Sequence, residues 1–278
     1  MRSRWQRLLT RLASRQSNPR PPSWKRETAI VAAFYFVYQI VRSNLANPEE
    51  ISASAIRHAK WVISFEKSIH IYTERQIQSA FLGARWFIKI LNVYYGTLHF
   101  IVTIGVLVWL FFKHQNRYRL WRNTLGVTTA MALIGFATYP LQPPRMIAGF
   151  HDTLDEVGGL WSFQSPTAKA LANQYAAMPS LHFGWSLWCG LALFFVSKNK
   201  WIRLLAVTYP MVTAFDIIVT ANHFWLDAFA GALLVGIASV VVRSVNRLLA
   251  RSLPTTLSAV GGESDADTHD DLAGALNS

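Results

Sequence analysis

Charge is the scarcest commodity in this chain. Asp, Glu, Lys and Arg make up 15% of its 278 residues, against about 25% in ordinary soluble domains. Acids are scarcer still, with 15 Asp and Glu facing 27 Lys and Arg. Cysteine is nearly absent. Cys189 stands alone in an apolar run, which excludes an internal disulfide and a thiolate metal cluster. No internal repeat is visible. No segment has the layout of a cleavable secretory signal, because the first apolar run begins only near Thr28. What fills the space is apolar: hydrophobic residues reach 52%, and Trp alone counts 11. A soluble core of this size cannot hide that excess, so the expected class is an all-α integral membrane protein. The net charge of +12 does not point to nucleic acid. The basic residues gather at the ends of apolar runs rather than on one contiguous face.

Six apolar segments are expected to cross the bilayer as helices, at about 25–45, 88–112, 123–141, 181–198, 202–220 and 224–242. Loop charge orients them. Lys113, Arg117, Arg119 and Arg122 follow the second segment; Lys198, Lys200 and Arg203 follow the fourth; Arg243, Arg247 and Arg251 follow the sixth. Together with the basic N-terminal tail they fall on one side of a six-span layout, which the positive-inside rule makes cytoplasmic. Both termini are then cytoplasmic, and the 140–180 loop forms an extracytoplasmic cap. The 46–87 connection carries five basic residues on the outer side, partly balanced by Glu49, Glu50, Glu66 and Glu74. The pattern Ile56, Ala59, Trp61, Ile63, Phe65 reads as surface helices lying on the bilayer.

The domain expected from this layout is 25–251, between tails at 1–24 and 252–278. Residues 1–26 hold eight Lys/Arg and no acid. Trp5, Leu8, Leu9 and Leu12 share one helical face, as in an interfacial helix on anionic lipid. A disordered basic tail broken by Asn18 to Pro22 is the equal alternative, and an Arg- and Ser-rich start also suits mitochondrial targeting. The tail after Ser252 is Ser-, Gly- and Asp-rich and reads as disordered.

Three patches at the ends of apolar segments carry the chemistry: Pro143-Pro144-Arg145, Met178-Pro179-Ser180-Leu181-His182 and Asn222-His223-Phe224-Trp225-Leu226-Asp227. The layout brings all three out on the same outer side. His223 and Asp227 are four apart and share a helix face. The carboxylate can take the proton of one ring nitrogen and leave the other free to attack. A lone His at a helix start is ordinarily a surface group, but an acid inside an apolar span is costly and points to function. Ser180 suits an N-cap and Pro179 precedes it. The fourth and sixth helices both start on the outer face, so two helix N-termini are expected to offer amides to an anion. Arg145 adds a guanidinium suited to phosphate. A metal on His182, His223 and Asp227 fits by ligand type but ranks lower, since Arg145 would repel a cation. His58, His70 and His99 have no partner at useful spacing, and His114 is cytoplasmic. His151, next to Asp152 in the cap, is a weaker candidate for substrate contact.

At these residues the chain resembles the type-2 phosphatidic acid phosphatase superfamily, and within it the inositol phosphorylceramide synthase-like branch. The close matches are Ala177 to Phe183 and Asn222 to Asp227, within a resemblance covering roughly 55–242. It implies a six-helix membrane enzyme without metal or cofactor. It implies a phospho-histidine at His223, a proton-donating His182, an orienting Asp227 and a phosphate-binding Arg145. Ser180 and Asn222 join Arg145 as candidate phosphate contacts. Two departures stand out. The phosphatases carry a Lys seven residues before the motif Arg, where this chain has Thr138. They carry Ser-Arg ahead of the last His, where it has Asp216 and Ile217. One guanidinium suits a singly charged phosphodiester better than a dianionic monoester.

The expected function is therefore a lipid phosphotransferase with an extracytoplasmic site, in the plasma membrane, acting on a phospholipid or lipid phosphate. A lipid phosphate phosphatase using the same site is the alternative. A transporter or lipid-binding scaffold is a further one, opposed by the placement of the polar groups at helix ends rather than at the bilayer midplane.

Overall fold

Helix follows helix along the chain, as the apolar runs require. A computed structural model of the protein describes residues 23–43, 48–159 and 174–251. The helices are α1 (Trp24–Ser43), α2 (Pro48–Ser68), α3 (Glu74–Phe81), α4 (Arg85–Val93), α5 (His99–Lys113), α6 (Gln115–Thr138), α7 (Thr153–Glu156), α8 (Leu181–Val196), α9 (Lys200–Val219) and α10 (Trp225–Arg251). A π-helical turn, Tyr94–Leu98, joins α4 to α5. Extended structure among the described residues is limited to isolated bridges, Leu141 with Ala176 and Ala148 with Phe150. The segments 1–22 and 252–278, where the amphipathic and disordered tails are expected, lie outside the described residues. By compactness the chain divides into Pro22–Val240 and a second unit whose described part is Val241–Arg251.

Among the described residues three helical stretches are long and apolar enough to cross a bilayer: Arg85–Lys113, Lys200–Val219 and Trp225–Arg251. That is the mark of an integral membrane protein. The other expected segments are helical too, but they fall short by that measure. Leu181–Val196 has 16 residues, fewer than the ~20 a bilayer needs. In α1 and α6 polar residues thin the apolar run: Lys25, Arg26 and Glu27 in one, Gln115 to Arg122 in the other. The outward faces carry Ile101, Ile104, Phe112, Leu205, Met211, Phe229 and Val240, all well exposed, a surface suited to lipid rather than water.

Lipid tails are as apolar as leucine, so helix packing in a bilayer relies on close approach and hydrogen bonds. Both are present. Trp188 donates its indole N–H to the Trp121 carbonyl (2.9 Å), and Trp185 donates to Thr129 Oγ1 (3.1 Å). Tyr94 and Thr213 hydroxyls meet at 2.7 Å. Trp121, Trp188, Leu110, Val106 and Ala192 form one packed core. Gly190 of α8 lies against the Ala206 carbonyl and the Pro210 ring of α9, where a Cβ would collide. Gly231 of α10 lies against the Ser180 carbonyl and the Gly184 amide of α8 in the same way. That second contact brings the starts of α8 and α10 together. At the other end Glu27 of α1 accepts from Tyr118 (3.0 Å) and pairs with Arg122 (3.4 Å) of α6.

Residues 48–87 of this connection are largely helical, as expected, and one stripe of α2 is buried in the protein. Ala55, Ala59, Val62 and Glu66 face inward. Ala59 and Val62 pack on Leu141, Ala177 and Phe224. Ile56, Trp61 and Phe65 are exposed, with Trp61 stacked on Phe65. The bulky apolar side chains lie on the outer stripe, while the interior stripe uses alanines, a valine and one acid.

Candidate active site

The loop between α9 and α10 sets the site. Thr220 hydroxyl returns to the Asp216 carbonyl (2.7 Å), and the amides of Asn222 and His223 both reach the Ile217 carbonyl (3.0 and 3.2 Å). Ala221 takes a left-handed conformation with φ of 53°, which costs a non-glycine residue roughly 1–2 kcal/mol. The reversal turns its carbonyl to the Arg145 amide (2.8 Å). Arg145 is thereby tied by its backbone to the segment bearing His223, 78 residues downstream by the numbering.

His223 and Asp227 are both buried, and His223 Nδ1 lies 3.3 Å from Asp227 Oδ2. The same oxygen accepts from the Phe224 amide (3.0 Å). The Asp227 carbonyl accepts from the Ser180 amide (3.0 Å), so one residue fastens the start of α8 to the start of α10. Ser180 is the N-cap of α8 and accepts from Phe183 N–H (3.3 Å). His182, in the first turn, has its ring 5.6 Å from that of His223, centroid to centroid. His223 Nε2 is buried and has no hydrogen-bond partner.

The structure thus brings His182, His223, Asp227 and Ser180 together and links Arg145 to them. Asn222 is buried beside them, with one amide N–H given to Thr220 Oγ1 (2.8 Å). Arg145 is not a free cation: its Nη1 pairs with Asp152 Oδ2 at 2.8 Å. Asp152 also caps α7 by accepting from Leu154 and Asp155 amides. His151 is placed away from these groups' hydrogen-bonding, paired at the surface with Glu156 (3.1 Å).

One expectation needs correcting. The N-terminus of α10 does not present free amides to an anion. Phe224 N–H goes to Asp227, Trp225 N–H to Glu74 Oε1 (3.1 Å) and Leu226 N–H to Glu66 Oε1 (2.7 Å). Carboxyl groups already occupy the positive end of the helix, the most favourable place for them. The start of α8 is different: the amides of Leu181 and His182 donate to no described residue.

Sequence reasoning missed Tyr95 and His99. Tyr95 stacks on His182 at 4.1 Å and lies 6.4 Å from the His223 ring. The His99 ring lies 4.1 Å from that of His182 and donates its Nδ1–H to the Tyr95 carbonyl (3.0 Å). Both belong to the π-helical turn and its first following residue, and such turns recur at functional sites. The signal was available. His99 is an ionisable group inside an apolar span, the very argument that singled out Asp227. Asp216 was noted as a departure from the family motif, but not that it would be fully buried with neither oxygen hydrogen-bonded.

Residues 60–241 match a family model of the PAP2 superfamily. The chain belongs to that superfamily. The matched stretch contains every residue of the site. No curated protein matches the chain, and no solved structure does. Membership makes this PAP2 protein a phosphatase or phosphotransferase acting on phosphate esters, metal-independent as the family is. Lipid phosphates are the substrates the family suggests.

Proposed function

We propose that this PAP2 protein is a lipid phosphotransferase of the inositolphosphotransferase-like branch, working through a phospho-histidine on His223. The observation that carries the reading is the His223 ring. Its Nδ1 is turned to Asp227, and its Nε2 is left without a partner near His182. Asp227 holds the proton on Nδ1, so the Nε2 lone pair is the nucleophile. Nε2 attacks phosphorus as the bond from phosphorus to the leaving oxygen breaks. His182 gives that oxygen its proton, leaving an alcohol and an N–P bond. His182, now neutral, takes the proton from water or an acceptor hydroxyl. The new O–P bond forms as N–P breaks.

Arg145, the Ser180 hydroxyl, the second amide proton of Asn222 and the amides of Leu181 and His182 stabilise the equatorial oxygens. Arg145 first exchanges Asp152 for phosphate. With Thr138, Asp216 and Ile217 where phosphatase relatives hold Lys, Ser and Arg, one guanidinium faces the substrate. This favours a monoanionic phosphodiester donor and transfer of a phosphoryl or phospho-head group. The chain works as a six-span protein of residues 25–251, flanked by tails at 1–24 and 252–278. Its termini are cytoplasmic, and its site opens to the extracytoplasmic face of the plasma membrane.

The test is product analysis on purified protein in detergent, with labelled phosphatidylinositol as diester and phosphatidic acid as monoester, each with and without an alcohol acceptor. Faster turnover of the diester and a product bearing the acceptor are expected. Preferential release of phosphate from phosphatidic acid would make the enzyme a lipid phosphate phosphatase using the same site, the reading that superfamily membership favours next.

A further inference from the structure

Glu66 and Glu74 have no place in the mechanism above, yet both are wholly buried against the first turn of α10. They arrive from the end of α2 and the start of α3, 160 and 151 residues before the amides they hold. Leu226 N–H donates to Glu66 Oε1 and Trp225 N–H to Glu74 Oε1. Trp225 is held a second time, its indole N–H donating to Thr73 Oγ1 (3.0 Å). The remaining oxygen of each carboxyl meets no N–H or hydroxyl of another residue. Two buried carboxylates with unpartnered oxygens supply no donor, and a proton on one of them would supply it.

We propose that Glu66 and Glu74 are positioning residues: a carboxyl pair holding one proton between them, which clamps the first turn of α10 and so fixes where His223 and Asp227 stand. The Phe224, Trp225 and Leu226 amides are consecutive, and each is bound by a carboxyl group. Asp227, the third of these, both caps the turn and orients His223. A shift of the turn therefore moves the dyad with it. Asp227 from α10 and Tyr72 from the turn between α2 and α3 act on the pair, and Tyr72 in turn faces Arg75 of α3 and, across its ring, Lys67 of α2.

The shared proton gives the clamp a pH limit. Burial, then the hydrogen bond and charge of Glu74, push Glu66 from an ordinary carboxyl value of 4.5 up to about 9. The folded state thus holds a proton that the unfolded chain has released. Its contribution to stability is full in acid, declines from pH 4.5 and is gone once pH passes about 9. Above that point two carboxylates and Asp227 repel across the turn.

The activity arm of the test rests on the phospho-histidine reading; the spectroscopic arm does not. Difference infrared spectra of the full-length protein in detergent, taken across pH, should show a protonated carboxyl band near neutrality that is lost as pH rises through about 9. The band should persist in His223→Ala and vanish in Glu66→Gln. Glu66→Gln keeps an acceptor for Leu226 and a donor for Glu74, so turnover of phosphatidylinositol at pH 7 should stay within about threefold of the parent. Its alkaline loss of activity should move up or disappear. Glu66→Leu keeps the bulk but not the clamp, and should lower kcat about 10–100-fold with KM changed less. A missing band, a band unaffected by Glu66→Gln, or a Glu66→Gln enzyme as damaged as Glu66→Leu would overturn the proposal. If His223→Ala retains activity while the band behaves as described, the nucleophile assignment fails and the carboxyl pair stands.

Discussion

The starts of α8 and α10 lie side by side and run the same way, yet they are finished in opposite fashion. The α8 start is capped by a neutral hydroxyl, Ser180. Its Leu181 and His182 amides donate to no described residue. The α10 start is closed by three carboxyl groups, from Asp227, Glu74 and Glu66. A helix N-terminus attracts one anion well, because its few free N–H groups and its dipole are quickly used up. At α10 the protein's own acids take that role and hold His223 in place. At α8 the amides stay open beside His182. On the proposed mechanism the difference divides the work: α10 supplies a fixed nucleophile, and α8 supplies the proton donor together with amides for the phosphate.

Substitutions can break that division. The largest effect is expected from His223→Ala, which should lower turnover by about 10⁵-fold in detergent without changing the melting temperature appreciably. Comparable activity in parent and variant would move the nucleophile elsewhere. His182→Ala should lose about 10³-fold on alkyl phosphodiesters and much less on an ester with a good leaving group such as p-nitrophenol. An equal loss on both would remove His182 from protonation of the leaving oxygen. Asp227→Asn should lose about 10²-fold in kcat, since the ring loses its orienting carboxylate but the Phe224 amide keeps an acceptor. The smallest effect belongs to Ser180→Ala, with about 1 kcal/mol of cap stability lost in thermal unfolding. A drop in kcat greater than tenfold there would show that Ser180 touches the phosphate as well as capping the helix.

The pattern of expectations met and missed follows sequence distance. His223 and Asp227 are legible because four residues on a helix share a face, and Ser180 because a serine before an apolar run caps it. The Arg145 patch could be read as cationic, but its pairing with Asp152 needed the cap loop to fold back. His99 was set aside because no partner stands near it in the chain. Its neighbour His182 comes from another helix, 83 residues away by the numbering. Glu66 and Glu74 looked like balancing charge on an outer loop. Their burial accompanies α2 packing through Ala55, Ala59 and Val62, a narrow stripe less conspicuous in the sequence than the bulkier Ile56, Trp61 and Phe65.

Composition and periodicity by themselves pointed to a helical membrane protein, and the motifs around Arg145, His182 and His223 to the PAP2 superfamily that the family match then showed. Those properties are local: apolar length, charge at helix ends and spacing within one turn. Only the tertiary structure decided which groups close each helix start, where Tyr95 and His99 sit, and that Arg145 is held by Asp152. Hydrogen bonds between distant segments set these, and they form wherever packing brings donor and acceptor within about 3 Å.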